Sequence, residues 1–410
     1  MATSFHSTSG LIETLESMRF DRPPALVCNA HITGCSVGRA LAAQDVPVIA
    51  VDRNGDGVGP YSEAVVAAGA VTFPLEDANG FVHDVERIAA VLEYDPVIFP
   101  CMDEWVHALV EGAPAGVRLP FADREVIEGV LDKESLYSLA DALEIPYPET
   151  YRLSEYDPET IMDRLECPFV VKPARKREFE ELIGTNVIEI EDTDSFFDIV
   201  ERARAADVRI MAQEKVPIAT GYDRSFASYR SPVGDVIGLV GNAHVRYPQA
   251  YGTSCVVDTV EDSKLEARAK SILEAAEYYG ISESEFVYDS EREKYVLLDV
   301  NTRPWKWISL PVEAGINLPY AAYADAVGES YAVGPICDSR WVYLPDYIQK
   351  LSSSPGVDDV LSSAAWRSFL SGDFEQQRGL TTGVYRPSDP GPALQLLETL
   401  FGRSEYYCSC

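Results

Sequence analysis

Short apolar runs alternate with amphipathic stretches along the first third of the chain. After a polar lead with a short helix over residues 1–22, Pro23-Pro24 introduces the apolar run Ala25-Leu-Val-Cys28. A small-residue turn, a helix over 36–43 and a second apolar run over 46–51 follow, the last ending in Asp52. Residues 70–73 and 96–100 read as further buried strands, with helices over 81–92 and from Asp103 onward. Repeated strand–helix units predict a parallel sheet covered by helices on both faces. Residues 1–125 therefore read as a Rossmann-like domain. Its first turn carries Gly34 and Gly38, a G-x-x-x-G spacing and not the dinucleotide fingerprint. That disfavours an oxidoreductase. Ligands of open sheets sit at the carboxyl ends of strands, so residues 101–104 form a candidate wall, although Asp103 reads equally well as a helix N-cap.

Beyond residue 125 the pattern becomes mixed. An amphipathic helix spans 132–143, and the prolines of 145–150 make an extended connector. The run Pro168-Phe-Val-Val-Lys172 ends an apolar strand on a lysine, which is costly unless its ammonium meets an anion. A charged loop with Arg175, Lys176 and Arg177 occupies 174–186. Strands over 186–190 and 209–217, a hairpin of 225–230 with 234–245, and a helix over 265–279 closed by Gly280 follow. A strand over 285–289 then pairs with one running from Tyr295 to about Arg303, stopped by Pro304.

That last strand carries the chemistry. Alternation puts Leu297, Asp299, Asn301 and Arg303 on one face, and the hairpin brings Glu285 beside them. Two carboxylates and an amide this close suit a hard cation such as magnesium, and a guanidinium suits phosphate. The rival is a solvated edge strand. With Lys133 and Lys172 upstream the set suits a nucleoside triphosphate, yet no P-loop or protein-kinase motif is present. Trp305 and Trp307 line a substrate pocket or pack beneath the C-terminal segment. His244 reads as structural more readily than as a base.

Composition adds limits. The chain has 410 residues, with 34 basic and 66 acidic side chains giving a net charge of −32. The acids are scattered, which argues for a heavily solvated surface of the high-salt kind and against a nucleic-acid partner. No apolar run approaches the roughly 18 residues of a membrane span, and no leader pattern opens the chain. Eight dispersed cysteines suit a reduced, cytoplasmic protein. The Cys408-Ser-Cys410 tail reads as frayed.

The ordered set Leu131-Asp-Lys133, Pro168-Phe-Val-Val-Lys-Pro173, Gln213-Glu-Lys-Val-Pro217, Glu285-Phe and Leu298-Asp-Val-Asn-Thr-Arg-Pro-Trp305 resembles the ATP-grasp superfamily. It is most similar to carboxylate–amine ligases of the D-aspartate ligase type, whose metal strand reads roughly E-x-N-x-R-x-W. The resemblance implies an α/β fold, α+β in its centre. A Rossmann-like domain (1–125) would precede an ATP-grasp domain (126–330, subdomains 126–210 and 211–330) and a C-terminal extension (331–410). It implies ATP and Mg2+, or Mn2+, as cofactors. Small-molecule carboxylate and amine substrates would be the partners, and a homodimer is left open. Carried over by position, Lys133 and Lys172 would contact ATP. Gln213, Glu214, Lys215 and Val216 would form the adenine hinge, Glu214 lying near the adenine amine, and Asp223 would meet the ribose. Glu285, Asp299 and Asn301 would hold the metal, while Arg246 and Arg303 would steady the transferred phosphoryl group. Aspartate at 299 is shorter than the usual glutamate, and the 174–186 loop lacks the usual small residues. An ATP-binding regulatory protein without ligase chemistry is the alternative.

Overall fold

In the computed structural model of the chain, which describes residues 4–173, 185, 187–248, 252–353 and 360–401, the strands form three sheets. The first is parallel and five-stranded, in the order Phe5–His6, Val65–Ala70, Val48–Asp52, Ala25–Cys28, Val97–Pro100. The strands Ala25–Cys28, Val48–Asp52 and Val97–Pro100 are buried throughout and, Asp52 apart, apolar, as strands covered on both faces must be. The helix after the first of them, Ile32–Ala42, begins earlier than the sequence suggests. A Cβ at Gly34 would lie 2.7 Å from the Asn29 carbonyl oxygen, so the glycine allows the helix to start against the strand end. The strand expected at 70–73 lies instead at Val65–Ala70, where small residues let it pack against Leu11.

The second sheet has four strands in the order Thr150–Arg152, Ile210–Glu214, Phe169–Pro173, Ile188–Ile190. The third has seven: Lys294–Asn301, Gly280–Asp289, Asp223–Arg230, Val236–Tyr247, Thr253–Val260, Arg340–Val342, Leu380–Thr382. Its last two strands come from the C-terminal extension, which thus completes this sheet and does not merely cover it. Gly280 does not cap the preceding helix, which is Ser263–Ala275. It opens a strand with φ +125°, where a side chain would press on Phe121. Part of the acidic excess has local work: Asp77, Asp123, Asp132, Asp157, Asp192 and Asp262 each accept a main-chain N–H at a helix start. The Arg175–Arg177 cluster and the Cys408/Cys410 tail lie outside the described residues. No helix among the described residues is long and apolar enough to cross a membrane.

Candidate active site

The strand Lys294–Asn301 is the edge of the seven-stranded sheet and pairs only with Gly280–Asp289 there. Glu285 lies opposite Asp299 and Glu283 opposite Asn301, but Phe286 pairs with Leu297, so a bulge leaves Leu298 outside the ladder. This corrects the expected alternation. A bulge shifts the face count by one residue, and Leu297 joins Phe286 and Val300 in the core while Asp299 and Asn301 turn to the cleft. The Asn301 amide donates to Glu285 Oε1 at 2.6 Å and Glu283 Oε2 at 3.1 Å. Burial pushes the Glu283 carboxyl up to about 8, and the neighbouring Glu285 charge adds to the rise. Glu283 was not singled out from the sequence; the Ser282-Glu-Ser-Glu285 alternation was the available signal.

Cations surround these oxygens. Lys133, at the first turn of helix Lys133–Ala142, sets its Nζ 2.8 Å from Asp299 Oδ1. Lys172 Nζ donates to Gln213 Oε1 at 2.7 Å. Arg246 pairs with Asp223 at 2.7 Å, and burial holds the Asp223 carboxyl above its usual range despite that guanidinium. Asp223 therefore engages the expected phosphoryl clamp. Arg303 Nε donates to Asp103 Oδ1 at 2.6 Å. Asp103 is not the helix cap, a place taken by Met102; it sits in the first turn and holds Arg303 from the Rossmann-like domain. Lys306, also unforeseen, bonds Thr253 at 2.8 Å and Asp346 at 2.7 Å and lies 4.1 Å from the Tyr343 ring centre.

The expected hinge is Gln213 to Val216. It leaves the four-stranded sheet and reaches the seven-stranded one, where Ile218 bridges to Asp289. The side chains differ from expectation. The Glu214 carboxylate is occupied by Arg292 and, at 2.7 Å, by the Glu149 N–H, and Lys215 pairs with Glu189. Gln213 is buried and faces Lys172. His244 is tied to Asp258, 3.0 Å away, which also accepts from Nε and Nη2 of Arg340. That network links three strands and suits a structural histidine.

Two cavities meet at this point. One of about 240 Å³ is lined by Lys133, Lys172, Arg246, Arg303 and Lys306 together with Glu283, Glu285, Asp299 and Asn301. Trp305 and Trp307, in edge-to-face contact at 5.1 Å, line it as well. Both rings also belong to the main core, with Trp341 and Tyr343 of the C-terminal extension, so they line a cavity and pack against that segment at once. A second cavity of about 320 Å³ lies against helices of the Rossmann-like domain and shares Lys133, Asp299 and Asn301. Helix Asp103–Gly112 lays Glu104, His107, Ala108 and Glu111 along it, one face of the helix.

The oxygens able to hold a hard cation are those of Glu283, Glu285, Asp299 and Asn301. Their carboxylate and amide chemistry fits Mg2+ or Mn2+ and leaves positions for water and phosphate. Lys133 adds a positive charge beside Asp299. Among the described residues no three acidic, His or Cys side chains form a cage in this arrangement.

No family model matches the sequence. The chain is 23% identical over 279 residues to the C-terminal section of the carbamoyl phosphate synthase large chain of Methanopyrus kandleri, covering 62% of this chain and 49% of the relative. It is 23% identical over 223 residues to D-aspartate ligase of Enterococcus faecium, covering 51% and 52%. The chain spans about half the length of the curated relatives it matches. Among solved structures, N5-carboxyaminoimidazole synthetase of Staphylococcus aureus superposes with TM-score 0.61 at 12% identity, over 85% of this chain and 87% of that one. Biotin carboxylase of Campylobacter jejuni, in complex with a β,γ-ATP ligand, gives 0.60 at 14% identity over 78% and 75%. The fold is α/β, and it is the ATP-grasp fold.

Proposed function

We propose that the protein is an ATP-dependent ligase that joins a carboxylate to an amine through an acyl phosphate, releasing ADP and phosphate. The observation that carries this reading is the 240 Å³ cavity in which five cationic side chains and four oxygen-bearing side chains converge. A triphosphate beside a metal needs both signs of charge in one place. Arg246, Arg303 and Lys172 would neutralise the phosphoryl oxygens as the substrate carboxylate attacks the γ-phosphorus and ADP leaves. The acyl phosphate then accepts the amine, and phosphate leaves with the bonding electrons. Lys133 would steady the phosphates from the wall shared by both cavities. A bound Mg2+ or Mn2+ held by Glu285, Asp299 and Asn301, with Glu283 behind them, would draw charge from the transferring oxygens. Positioning and electrostatics account for the chemistry, and no covalent nucleophile is required. The larger cavity, opening on Asp299 and Asn301, suits a substrate approaching from the Rossmann-like side. Free thiols at all six described cysteines agree with a cytoplasmic setting.

Hydroxylamine tests this directly, since it traps acyl phosphates as hydroxamates whatever the natural amine. A panel of carboxylic and amino acids with ATP and Mg2+ is expected to give hydroxamate and ADP in equal amounts for at least one acid. ATP binding without ADP or hydroxamate for every acid tested would favour the regulatory alternative.

A further inference from the structure

Tyr137 is buried in the second core, 2% exposed, on helix Lys133–Ala142, with its ring stacked on Tyr147 at 4.9 Å and 10°. Packing explains the ring. It does not explain the hydroxyl, which must find partners when buried. The hydroxyl donates to the carbonyl of Leu298 at 3.0 Å. Leu298 is the residue that the bulge removes from the strand ladder, immediately before Asp299. On its other side the hydroxyl accepts from Gln213 Nε2 at 3.1 Å. Gln213 in turn accepts from Lys172 Nζ at 2.7 Å, and its second amide hydrogen goes to Thr150 Oγ1 at 2.8 Å.

Every donor in this run points the same way: Lys172 to Gln213, Gln213 to Tyr137, Tyr137 to Leu298. The run begins on a cation of the cavity in the four-stranded sheet and ends on the main chain that aims Asp299 in the seven-stranded sheet. Hydrogen bonds in such chains polarise one another, and the charged end strengthens the rest.

We propose that Tyr137 is a positioning residue. It fixes the Lys172 ammonium and the Asp299–Asn301 strand end relative to each other, so that the phosphate-facing and metal-facing halves of the site are set together. The proposal rests on the ATP-grasp ligase reading of the site. Removing the hydroxyl would release both ends: the bulge loses its only side-chain anchor among the described contacts of Leu298, and Gln213 turns away from Lys172.

The test compares Tyr137→Phe, which keeps the ring, with Thr150→Val, which removes the other bond of Gln213 but leaves the run intact. Mn2+ affinity in the presence of ADP is read by electron paramagnetic resonance, and KM for ATP and kcat by ADP release. Tyr137→Phe is expected to weaken Mn2+ binding by about 5- to 10-fold and to raise KM for ATP together with a fall in kcat. Thr150→Val is expected to leave all three within about 2-fold. A Tyr137→Phe protein that melts earlier but binds Mn2+ as the unchanged protein does would overturn the proposal, since the hydroxyl would then be structural only. Absence of Mn2+ binding by the unchanged protein with ADP would overturn the nucleotide reading itself, and the proposal with it.

Discussion

Lys133 Nζ lies 2.8 Å from Asp299 Oδ1, and the two residues are only 5% and 7% exposed. For an ion pair so far from water, losing either charge is costly to the one that remains. The two possible deletions are not equivalent. Asp299→Asn leaves a buried ammonium that no added cation can help, at an expected cost of about 3–5 kcal/mol. Lys133→Met leaves a carboxylate beside Glu285 and Asn301, which a divalent cation can neutralise. Added Mn2+ is therefore expected to restore the melting temperature of Lys133→Met and not that of Asp299→Asn. An equal response of both variants to Mn2+ would remove Asp299 from the metal seat.

Glu283 makes stability depend on pH with a definite sign. Burial raises its carboxyl from 4.5 to about 8. Between those values the folded protein holds a proton that the unfolded chain has released, so stability falls as pH rises through this window. The contribution is full below about pH 4.5 and is lost by about pH 8. Glu283→Gln, which cannot ionise, is expected to flatten the curve of urea midpoint against pH and to gain most on the unchanged protein near pH 8. Parallel curves for the two proteins would show that the group ionises freely in the folded state.

Much of this arrangement was legible because local pattern and local chemistry agree. The parallel sheet follows from uniformly apolar runs such as Ala25–Cys28, and the Asp299/Asn301/Arg303 series stood out as polar residues within an apolar strand. The missing parts depend on distant or irregular geometry. The bulge at Leu298 has no glycine or proline to announce it, so strict alternation put Leu297 in the cleft. Glu214 looked free to read a base because Arg292, its partner, is 78 residues away. Lys306 between two tryptophans could have been flagged as a buried cation, but its partner Asp346 comes from the C-terminal extension. Tyr137 gave no signal at all, since a tyrosine on an amphipathic helix is ordinary core.

The wall of the cavity rests on a glycine. A Cβ on Gly241 would fall 2.8 Å from Cη2 of Trp307 and 3.0 Å from Val257 Cγ1. Overpacking of this kind costs about 1–3 kcal/mol, and here the ring that must yield lines the cavity. Gly241→Ala is expected to lower stability by that amount and to raise the KM of the carboxylic acid in the hydroxamate assay, with the KM for ATP unchanged. Combining it with Trp307→Phe, which removes the crowding atom, should cost less than the sum of the two single changes. Strict additivity would mean that the methyl group is accommodated without moving Trp307.

The C-terminal extension is tied to the Rossmann-like domain through Asp389. Its carboxylate accepts from Arg39 Nε at 2.9 Å, Ser62 Oγ at 2.5 Å and the Glu63 N–H at 2.9 Å. Arg39 also donates to the carbonyls of Val384 and of Asp389 itself. Three donors on one buried carboxylate make this more than a surface pair. Asp389→Ala would strand the guanidinium of Arg39, 8% exposed, at a cost of about 3–5 kcal/mol. Because strands Arg340–Val342 and Leu380–Thr382 complete the seven-stranded sheet, the loosened segment should be cut first by a protease under native conditions. Replacing both partners, Arg39→Met with Asp389→Leu, removes the stranded charge and is expected to recover part of the loss. If Asp389→Ala unfolds at the same urea concentration as the unchanged protein and shows no new cleavage beyond residue 331, the extension is held by its sheet pairing and core contacts alone.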